Sequence, residues 1–464
     1  MPVEPREQQS MNLYSSISAA LRDSIMRHRG TATQQSMWPN RWERIGSRAL
    51  DKEVVFDNLL THINVETLRE AFHALDGTKA LGSDSISKEA YGKNLESNLE
   101  DLTERIHRGS YKPQPKREVH IPKANGKTRP IAIACFEDKL VDWVIGRILT
   151  QIYEPLFIRN SFGFRPNKSA HDAIKATYYS LKDNRRPYVV EIDFASFFNT
   201  IPHRGIMKSL SRRISDRRFK GLIGRFLKGG ILEQYGDTTV PEVGTPQGGI
   251  MSPSLANIYL NEALDQWFLE NYASYSNIIV RYADDAVFFF KNEADAENFL
   301  QDLEKRVKKF GLTLNKEKTH TVDFRKSKNH HFNFLGFTFY WGEKKKYRAR
   351  PLKVKTQKET LHKKIQDFEQ WIKLNRSTMR LAPLWETAKA KLRGHYKYYG
   401  IGTNCQKLWH FYCEAIRSLF KWLNRRSQKR SYDWEAFKRR LDNQPLPTPP
   451  TIQELVPLGR SVYA

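Results

Sequence analysis

The sequence predicts an α+β fold built from several packed units, on the basis of three observations. The chain has 464 residues, 39% of them hydrophobic, which is too long for one ordinary domain and sufficient for a sizeable core. Apolar strand segments in the middle of the chain end or turn at acidic residues. Helical periodicity and an excess of basic residues dominate the region after about residue 345.

The net charge indicates a polyanionic partner. Lys and Arg outnumber Asp and Glu by 77 to 51, a formal charge of +26, which is typical of proteins that contact nucleic acid or an anionic membrane surface. No apolar run approaches the roughly 18 to 20 residues that span a bilayer, and the polar N-terminus does not have the apolar core of a secretory signal. Nucleic acid is therefore the expected partner, with no membrane association.

Cysteine usage excludes two structural classes. The chain has three cysteines, Cys135, Cys405 and Cys413, and no two of them form a CxxC pair. Neither a disulfide framework nor a four-thiolate zinc site is therefore expected. The thirteen histidines form no HExxH motif. This pattern fits a reducing compartment such as the cytoplasm.

The N-terminal part of the chain is expected to be mostly helical with one hairpin. Residues 1–50 are polar and predict a helical extension. Helical patterns follow over Val54–Ile106, which is interrupted at Gly77 and residues 81–85, and over Lys139–Ile152. Residues 119–134 predict a β-hairpin because two β-rich arms flank an Asn-Gly pair, a strong tight-turn signal.

Two strand segments in the middle of the chain carry acids. Residues 187–194 predict an apolar strand with Asp193 near its end. Residues 278–290 predict a hairpin with Asp284 and Asp285 at its tip. The sequence Tyr-Ala-Asp-Asp at this tip would by itself fit an ordinary polar turn.

If these strands are neighbours, the carboxylates of Asp193, Asp284 and Asp285 converge on one point. Such hard oxygen ligands suit Mg²⁺, with Mn²⁺ as an alternative. Two ions about 4 Å apart can activate a 3′-hydroxyl and stabilise a leaving pyrophosphate. The pattern therefore indicates nucleotidyl transfer.

The C-terminal part of the chain is expected to be helical and basic, because strand signals fade after about residue 345. Amphipathic helices are predicted over Leu361–Ile372 and Leu408–Leu423. Lys344–Arg430 contains 24 Lys or Arg and 5 Asp or Glu. Aromatic residues interleave with these charges, namely Tyr396, Tyr398, Tyr399, Trp409, Phe411 and Tyr412. This combination suits phosphates and stacked bases, although a solvated helical surface would also explain the charge.

Seven sequence blocks, in order, resemble the reverse transcriptases of group II introns and their intron-free bacterial relatives, including retron-like enzymes. The blocks are IPKANGKTRPIAIACFEDKLV, SFGFRPNKSAHDAI, EIDFASFFNTIPH, GTPQGGIMSPSLANIYL, IVRYADDAVFF, GLTLNKEKT and FNFLGFTF. LRGHYKYYGIG and the basic helix after it resemble the thumb and maturase-like region of that family. The resemblance extends from about residue 55 to residue 430.

The resemblance implies a right-hand polymerase architecture with an antiparallel palm sheet. Residues 51–186 would form the fingers, with interleaved palm elements, and residues 187–345 the palm. Residues 346–430 would form a basic helical thumb or maturase-like region. Residues 1–50 would be an N-terminal extension, and the proline-rich residues 431–464 a C-terminal tail.

The resemblance also implies roles for residues around the acids. Asp193, Asp284 and Asp285 would hold two metal ions, and Lys318 would protonate the departing pyrophosphate. Phe198 would pack against the incoming sugar and exclude a 2′-hydroxyl, unless it is a core residue.

Further residues are expected to bind nucleotide or nucleic acid. Lys123 and Arg129 would grip the triphosphate, or else are solvated edge charges. Gln247 and Gly248 would approach the nucleotide and template. Arg165 and Asn167 would contact the template, or else have a structural role. The basic C-terminal region contributes the remaining candidates, Arg393, Lys421, Arg425 and Arg426.

The expected function is RNA-directed DNA synthesis from dNTPs, a DNA or RNA primer and an RNA template, in the bacterial cytoplasm. The compact C-terminal end, with no endonuclease-like segment after residue 430, slightly favours an intron-free enzyme of defence or repair that copies a non-coding RNA. The alternative is an intron-encoded reverse transcriptase and maturase that binds its intron RNA. A pure RNA-binding splicing chaperone would not need the intact acids. The oligomeric state is left open.

Overall fold

The structure, a computed structural model, describes most of the chain after residue 39. The described residues are 40–122, 128–232, 238–239, 243–245, 248–273, 277–325, 330–343, 350–426, 432–451 and 453–458.

The N-terminal part is a helical layer around one long central helix. The helices are α1 Arg41–Ala49, α2 Val65–Ala74, α3 Lys88–Gly92, α4 Leu95–Arg108 and α5 Phe136–Tyr153. The next helix, α6 Ala170–Leu181, belongs to a separate hydrophobic core. Asn40 caps α1, because its side chain accepts a hydrogen bond from the Glu43 N–H. Helix α5 is buried on most of its surface and packs against α1 and α2. It contains the predicted helix over Lys139–Ile152 and begins three residues earlier.

The predicted hairpin over residues 119–134 is confirmed as strands β1 Lys116–Pro122 and β2 Thr128–Ile133, which pair antiparallel. Two short strands, β4 Ile231–Leu232 and β5 Thr238–Thr239, extend this sheet in the order β2-β1-β4-β5. The Asn-Gly turn of the hairpin lies outside the described residues.

A second sheet, here called the central sheet, lies in the middle of the molecule. Its strands are β3 Tyr188–Ile192, β6 Ile278–Tyr282, β7 Asp285–Phe290 and β8 His320–Asp323, in the order β6-β7-β3-β8. All pairs are antiparallel. Alternate residues of β7 enter two hydrophobic cores, Phe288 on one face and Phe289 on the other.

Helices cover one face of the central sheet and connect its strands. They are α7 Phe197–Thr200, α8 His203–Ser211, α9 Arg217–Leu227, α10 Ser252–Leu260, α11 Gln266–Asn271 and α12 Glu293–Lys309. Residues Asn261–Asp265 between α10 and α11 form a π-helical turn. Phe299 of α12 packs on Phe288 with ring centroids 4.5 Å apart, and Gly311, with a positive φ, follows the end of α12.

A three-stranded sheet covers the other face. It contains β9 His331–Phe334, β10 Phe337–Trp341 and β11 Leu352–Thr356, in the order β11-β10-β9. The expectation that strands end near residue 345 is therefore wrong. Leu352, Val354 and Thr356 are buried and alternate with half-buried lysines, which is the pattern of a strand with one solvated face.

The C-terminal helices are α13 Lys358–Asn375, α14 Leu381–Tyr399, α15 Cys405–Leu423 and α16 Trp434–Asn443. Helices α13 and α15 contain the two predicted amphipathic helices and pack against each other.

The prediction of a tail after residue 430 is wrong for the described part of that segment. Phe437 of α16 is buried, as are Leu446, Leu455 and Leu458. The Trp385 indole N–H donates to the Gln444 carbonyl (2.9 Å). The segment thus folds back on α14 instead of leaving the molecule.

Two further expectations concern the whole chain. Cys135, Cys405 and Cys413 are all free thiols. Of the helices in the described residues, none combines the length and the apolar character that crossing a bilayer requires.

Candidate active site

The register of the central sheet brings the predicted acids together. Strand β3 pairs with β7 up to Ile192 opposite Ala286, so the next residue, Asp193, comes opposite Asp285. Directly opposed residues of an antiparallel pair have Cβ atoms about 4.5–5.5 Å apart. Asp284 precedes Asp285 in the turn that joins β6 to β7.

Asp193 is held by polar groups of the loop that leads into β8. The Asn315 side-chain amide donates to Asp193 Oδ2 (3.1 Å), and the Lys318 ammonium donates to the same oxygen (3.1 Å). The backbone N–H of Asn315 donates to the Asp193 carbonyl (2.7 Å). Lys318 therefore lies at the acids, where the sequence predicted it, and its role as a proton donor stays a prediction.

The turn that carries Asp284 has a strained backbone. Ala283 has a φ of 58° in the left-handed region, which is costly for a residue with a Cβ and recurs at functional sites. A Cβ at Gly163 would overlap the backbone N of Ala283. Glycine is thus required at residue 163 because the Ser-Phe-Gly-Phe loop packs directly on the turn.

A buried ion pair supports the turn from below. Both side chains of the pair, Arg281 and Asp265, have no exposed surface. Arg281 Nε and Nη2 donate to the two Asp265 oxygens (2.7 and 2.5 Å), and Nη1 donates to the Ala283 carbonyl (2.8 Å) and to Asn257 Oδ1 (2.9 Å). Asn257 in turn donates to the Gly163 carbonyl (2.7 Å). This network fixes the acidic turn relative to α10 and the π-helical turn.

The electrostatics of the site favour a bound cation. Enclosure by the protein and, to a smaller extent, the carboxylates of Asp284 and Asp193 together raise the pKa of Asp285 to about 7, although part of its side chain is exposed. Lys318 opposes this shift. Crowded carboxylates of this kind are stabilised by divalent cations with oxygen ligands. Within the described ranges, no group of three acidic, His or Cys side chains is already arranged to hold a metal ion.

A cavity of about 380 Å³ opens beside the acids. Asp193, Asp284, Lys318 and Phe198 line it. Phe198 is half-buried and packs edge-to-face on Phe197, with ring centroids 5.3 Å apart. Phe198 therefore faces the cavity while it also packs against the core, and its role in sugar selection stays a prediction.

The predicted nucleotide-binding loop is positioned by a buried carboxylate. Asp142 of α5 accepts hydrogen bonds from the N–H groups of Ile250 (2.7 Å) and Met251 (3.0 Å). Gly248 has a φ of 114°, and a Cβ there would lie 2.8 Å from the Ala132 carbonyl oxygen of β2. Glycine is therefore required at this approach.

Three other residues are predicted to bind the nucleotide. Gln247 and Lys123 lie outside the described residues, as does the side chain of Arg129. Their roles stay predictions.

Arg165 and Asn167 are the residues predicted to contact the template. For Arg165, the structure favours the alternative of a structural role. Arg165 is only 6% exposed and pairs with Glu154 (2.7 Å). Its guanidinium also donates to the carbonyls of Ile158 and Ser161. Arg165 therefore fastens the loop, with little of its side chain left to reach a template. Asn167 is exposed with a positive φ, so its predicted template contact stays open.

The basic candidates of the C-terminal helices differ in their environments. Arg393 is exposed. Lys421 is exposed and pairs with Glu369 (2.6 Å), and Arg425 lies over the Trp422 ring, 5.3 Å from its centroid. Arg426 is half-buried and donates to the Met379 carbonyl (2.8 Å), which indicates a structural role.

The predicted aromatic row is divided between core and surface. Tyr396, Tyr399 and Phe411 are buried, so their interpretation as base-stacking residues is wrong. Trp409 is 44% exposed and Tyr398 is 36% exposed, and Tyr412 packs edge-to-face on Trp409 at 5.6 Å. Only the exposed members remain candidates for stacking.

The supporting residues Arg281, Asp265 and Asp142 are not among the site residues predicted from the sequence. Each is a charged residue inside an apolar strand or helix segment, and this signal is visible in the sequence. Charges at such positions are almost always paired when buried. Their partners are distant in the sequence and emerge only from the fold.

Comparison with known proteins identifies the domain that contains this site. Residues 121–339 match the family model of the reverse transcriptase (RNA-dependent DNA polymerase). Protein YkfC of Escherichia coli is 39% identical over 201 residues, 43% of this chain and 52% of YkfC. The group II intron-encoded protein LtrA of Lactococcus lactis is 38% identical over 203 residues, 43% of this chain and 33% of LtrA.

Among solved structures, telomerase from Candida albicans in complex with a telomeric RNA fragment superposes with a TM-score of 0.43. The sequences are 13% identical, and the superposition covers 77% of this chain and 65% of the telomerase chain.

Residues 121–339 therefore resemble reverse transcriptases, and the relatives include group II intron-encoded proteins, which confirms the predicted resemblance. The helices and antiparallel sheets confirm the predicted α+β fold. The match spans about half the length of YkfC and a third of LtrA.

Proposed function

We propose that this protein is an RNA-directed DNA polymerase whose catalytic acids are Asp193, Asp284 and Asp285. The observation that carries the proposal is the pairing of β3 with β7, which sets Asp193 opposite Asp285 and beside Asp284 at the edge of a cavity. The substrates would be dNTPs, a DNA or RNA primer and an RNA template. Two bound Mg²⁺ ions, or Mn²⁺ in their place, would activate the primer hydroxyl and stabilise the leaving pyrophosphate.

The protein's own groups would position the reactants. The Lys318 ammonium, 3.1 Å from Asp193 Oδ2, would donate a proton to the departing pyrophosphate. The ring of Phe198 would face the sugar of the incoming nucleotide, and the loop held by Asp142 would set the nucleotide against the template.

Substitution of the acids tests the catalytic proposal. Asp284→Asn and Asp193→Asn should reduce primer extension on an RNA template to below a few per cent of wild type, because each removes a charged metal ligand. Binding of the primer–template, followed by fluorescence anisotropy, should persist in both variants.

Asp323→Asn is the matched control. Asp323 lies at the opposite end of the central sheet, paired in register with Tyr188, and its carboxylate contacts Arg325. This variant should extend primers at the wild-type rate. Substantial extension by Asp284→Asn would eliminate the two-metal proposal.

For the biological role, we propose a cytoplasmic bacterial enzyme of defence or repair that copies a non-coding RNA. The second candidate is an intron-encoded reverse transcriptase and maturase, which the similarity to the group II intron-encoded protein LtrA favours. Sequencing the RNA that co-purifies with the full chain from its native cells distinguishes them. A short structured RNA would support the first role and exclude the second, and intron RNA would do the reverse.

A further inference from the structure

The three-stranded sheet has one apolar and one polar face. Phe332, Phe339 and Val354 of the apolar face are buried in the core below the central sheet. The polar face is formed by residues that pair side by side across the strands, namely His331, Asn333, Thr338, Tyr340, Lys353 and Lys355.

A recess of about 340 Å³ lies on this polar face. Lys355, Lys358 and Lys407 line it together with His331, Tyr340 and Glu359. The Lys355 ammonium lies over the Tyr340 ring, 4.4 Å from its centroid. In the part of the chain that the structure describes, no ion pair links any of these three lysines to an acid. The recess thus concentrates positive charge, and Glu359 is the one acid among the described residues that line it.

The lysines are held by ordered backbone. Lys358 is the first residue of α13, and Lys407 lies in the first turn of α15. Asn404, directly before α15, accepts from the Thr356 N–H (2.8 Å) and donates to the Thr356 hydroxyl (2.7 Å). This link fixes the start of α15 against β11.

Two helices begin at this recess, and neither receives a side-chain cap from its N-cap residue, Gln357 or Asn404. Their first N–H groups therefore add partial positive charge next to the lysines. Burial and the nearby Lys407 also lower the pKa of Lys355, which is the response of a cation held beside another cation.

A chain of contacts connects the recess with the candidate active site. The Asn333 N–H donates to the Glu191 carboxylate, which lies 3.4 Å from His320 Nε2. His320 Nδ1 lies 3.1 Å from the carbonyl of Lys318, the residue that contacts Asp193. Polar contacts thus lead from the recess to Lys318, which contacts Asp193.

We propose that this recess binds a phosphodiester group of the nucleic-acid strand that leads away from the candidate active site. The ligand follows from the chemistry, because three ammonium groups and two helix N-termini are complementary to a phosphate. Tyr340 would pack beside the sugar. This inference rests on the proposed polymerase function. It gives that function a nucleic-acid holding site that is distinct from the basic residues around Lys421.

The test compares two triple variants of the full chain with equal net charge. Lys355→Gln/Lys358→Gln/Lys407→Gln removes the cations of the recess. Lys93→Gln/Lys208→Gln/Lys438→Gln removes three exposed lysines elsewhere. Binding of a DNA primer annealed to an RNA template is measured without dNTPs over a range of salt concentrations.

The recess variant should bind at least tenfold more weakly than the control variant. Its plot of log affinity against log salt should be flatter by about 0.7–0.9, the contribution of one phosphate contact to the slope. Glu359→Gln, which removes a negative charge from the recess, should strengthen binding. Equal affinity and slope in the two triple variants would overturn the proposal.

Single methylphosphonate linkages, which have no charge, identify the strand. At one position in the primer or template strand the neutral linkage should weaken binding by the wild type and leave the recess variant unaffected. A scan of both strands without such a position would contradict a phosphodiester ligand. Inorganic pyrophosphate is tested as a competitor. If it binds as tightly as the duplex, and if this binding depends on Lys355, the result would also contradict a phosphodiester ligand.

Primer extension by the wild type is measured separately, so that the two proposals can fail independently. A wild type that extends primers while the recess variant binds normally refutes only the holding site. A wild type that binds through the recess and extends no primer refutes the polymerase function.

Discussion

Phe198 and Phe197 are adjacent aromatic residues with different surroundings. Both contribute to the wall of the cavity beside Asp193, but Phe197 is buried in the core, whereas Phe198 is half-buried. Their ring centroids are 5.3 Å apart. Because of this contrast, Phe197 can serve as the control when the predicted role of Phe198 in sugar selection is tested.

Phe198→Ala should open space for a 2′-hydroxyl at the cavity. We expect the preference for deoxyribonucleotides to fall at least tenfold, about 1.4 kcal/mol of discrimination. The measurement is kcat/KM for single dNTP and rNTP additions to the same primer end.

Phe197→Ala should instead lower the melting temperature, because truncation of a buried phenylalanine costs about 3–5 kcal/mol, and it should leave sugar selectivity unchanged. If Phe198→Ala behaves in the same way, Phe198 is a core residue and selectivity resides elsewhere.

Two buried aspartates one helical turn apart on α5 connect that element to different parts of the molecule. Asp142 accepts from the N–H groups of Ile250 and Met251 at the start of α10. Asp138 accepts from the Tyr111 hydroxyl and from the Gln114 N–H. Only Asp142 holds the loop that contains Gly248.

Asp142→Asn should displace this loop, because the amide can accept from one N–H group but repels the other. A hydrogen bond to a charged group is worth about 1.5–3 kcal/mol, so we expect a KM for dNTP raised about tenfold with a smaller change in kcat. Steady-state primer extension at varied dNTP concentration measures both constants.

Asp138→Asn supplies the control for lost stability. It should lower the melting temperature by as much as Asp142→Asn does, with KM unchanged. An equal rise of KM in both variants would show that Asp142 acts through general stability rather than through the loop.

Sequence patterns predict helices and strands well where buried residues recur at a short, regular spacing along the chain. The hairpin β1–β2, helix α5 and the strands β3, β6 and β7 next to the catalytic acids all follow from such local patterns. Strand β11 was missed although Leu352, Val354 and Thr356 alternate with polar residues, because its lysines were interpreted as the start of a basic helical region.

Other features depend on contacts that no local pattern contains. The Tyr396 hydroxyl donates to the Pro447 carbonyl, 51 residues away (3.1 Å), so the fold of the proline-rich end depends on the surface of α14. Similarly, Arg165 is basic and lies in a family block, but its partners Glu154 and Ile158 occupy its guanidinium. The sequence shows that a residue is charged, but it does not show which residue pairs with it.

On the scale of the whole molecule, the net charge is +26. The basic residues that produce this charge differ in how readily they can bind a phosphate. Exposed salt bridges contribute only about 0–1 kcal/mol, so Lys421 can exchange Glu369 for a phosphate at little cost. Arg425 and Arg393 are exposed. Arg426, which is half-buried against the Met379 carbonyl, cannot leave its site without loss of packing.

We therefore expect Arg393→Gln/Lys421→Gln/Arg425→Gln to weaken binding of single-stranded RNA and to flatten its salt dependence. The slope of log affinity against log salt should fall by about two units if all three touch phosphate, at roughly 0.7 per contact. Arg426→Gln should leave the slope unchanged and lower the melting temperature, because it removes a buried hydrogen bond. Anisotropy titrations at several salt concentrations, together with thermal unfolding, separate these effects. A triple variant with wild-type affinity and slope would make the basic helices a solvated surface, and RNA would then be held by the central sheet, the N-terminal hairpin and the recess at Lys355.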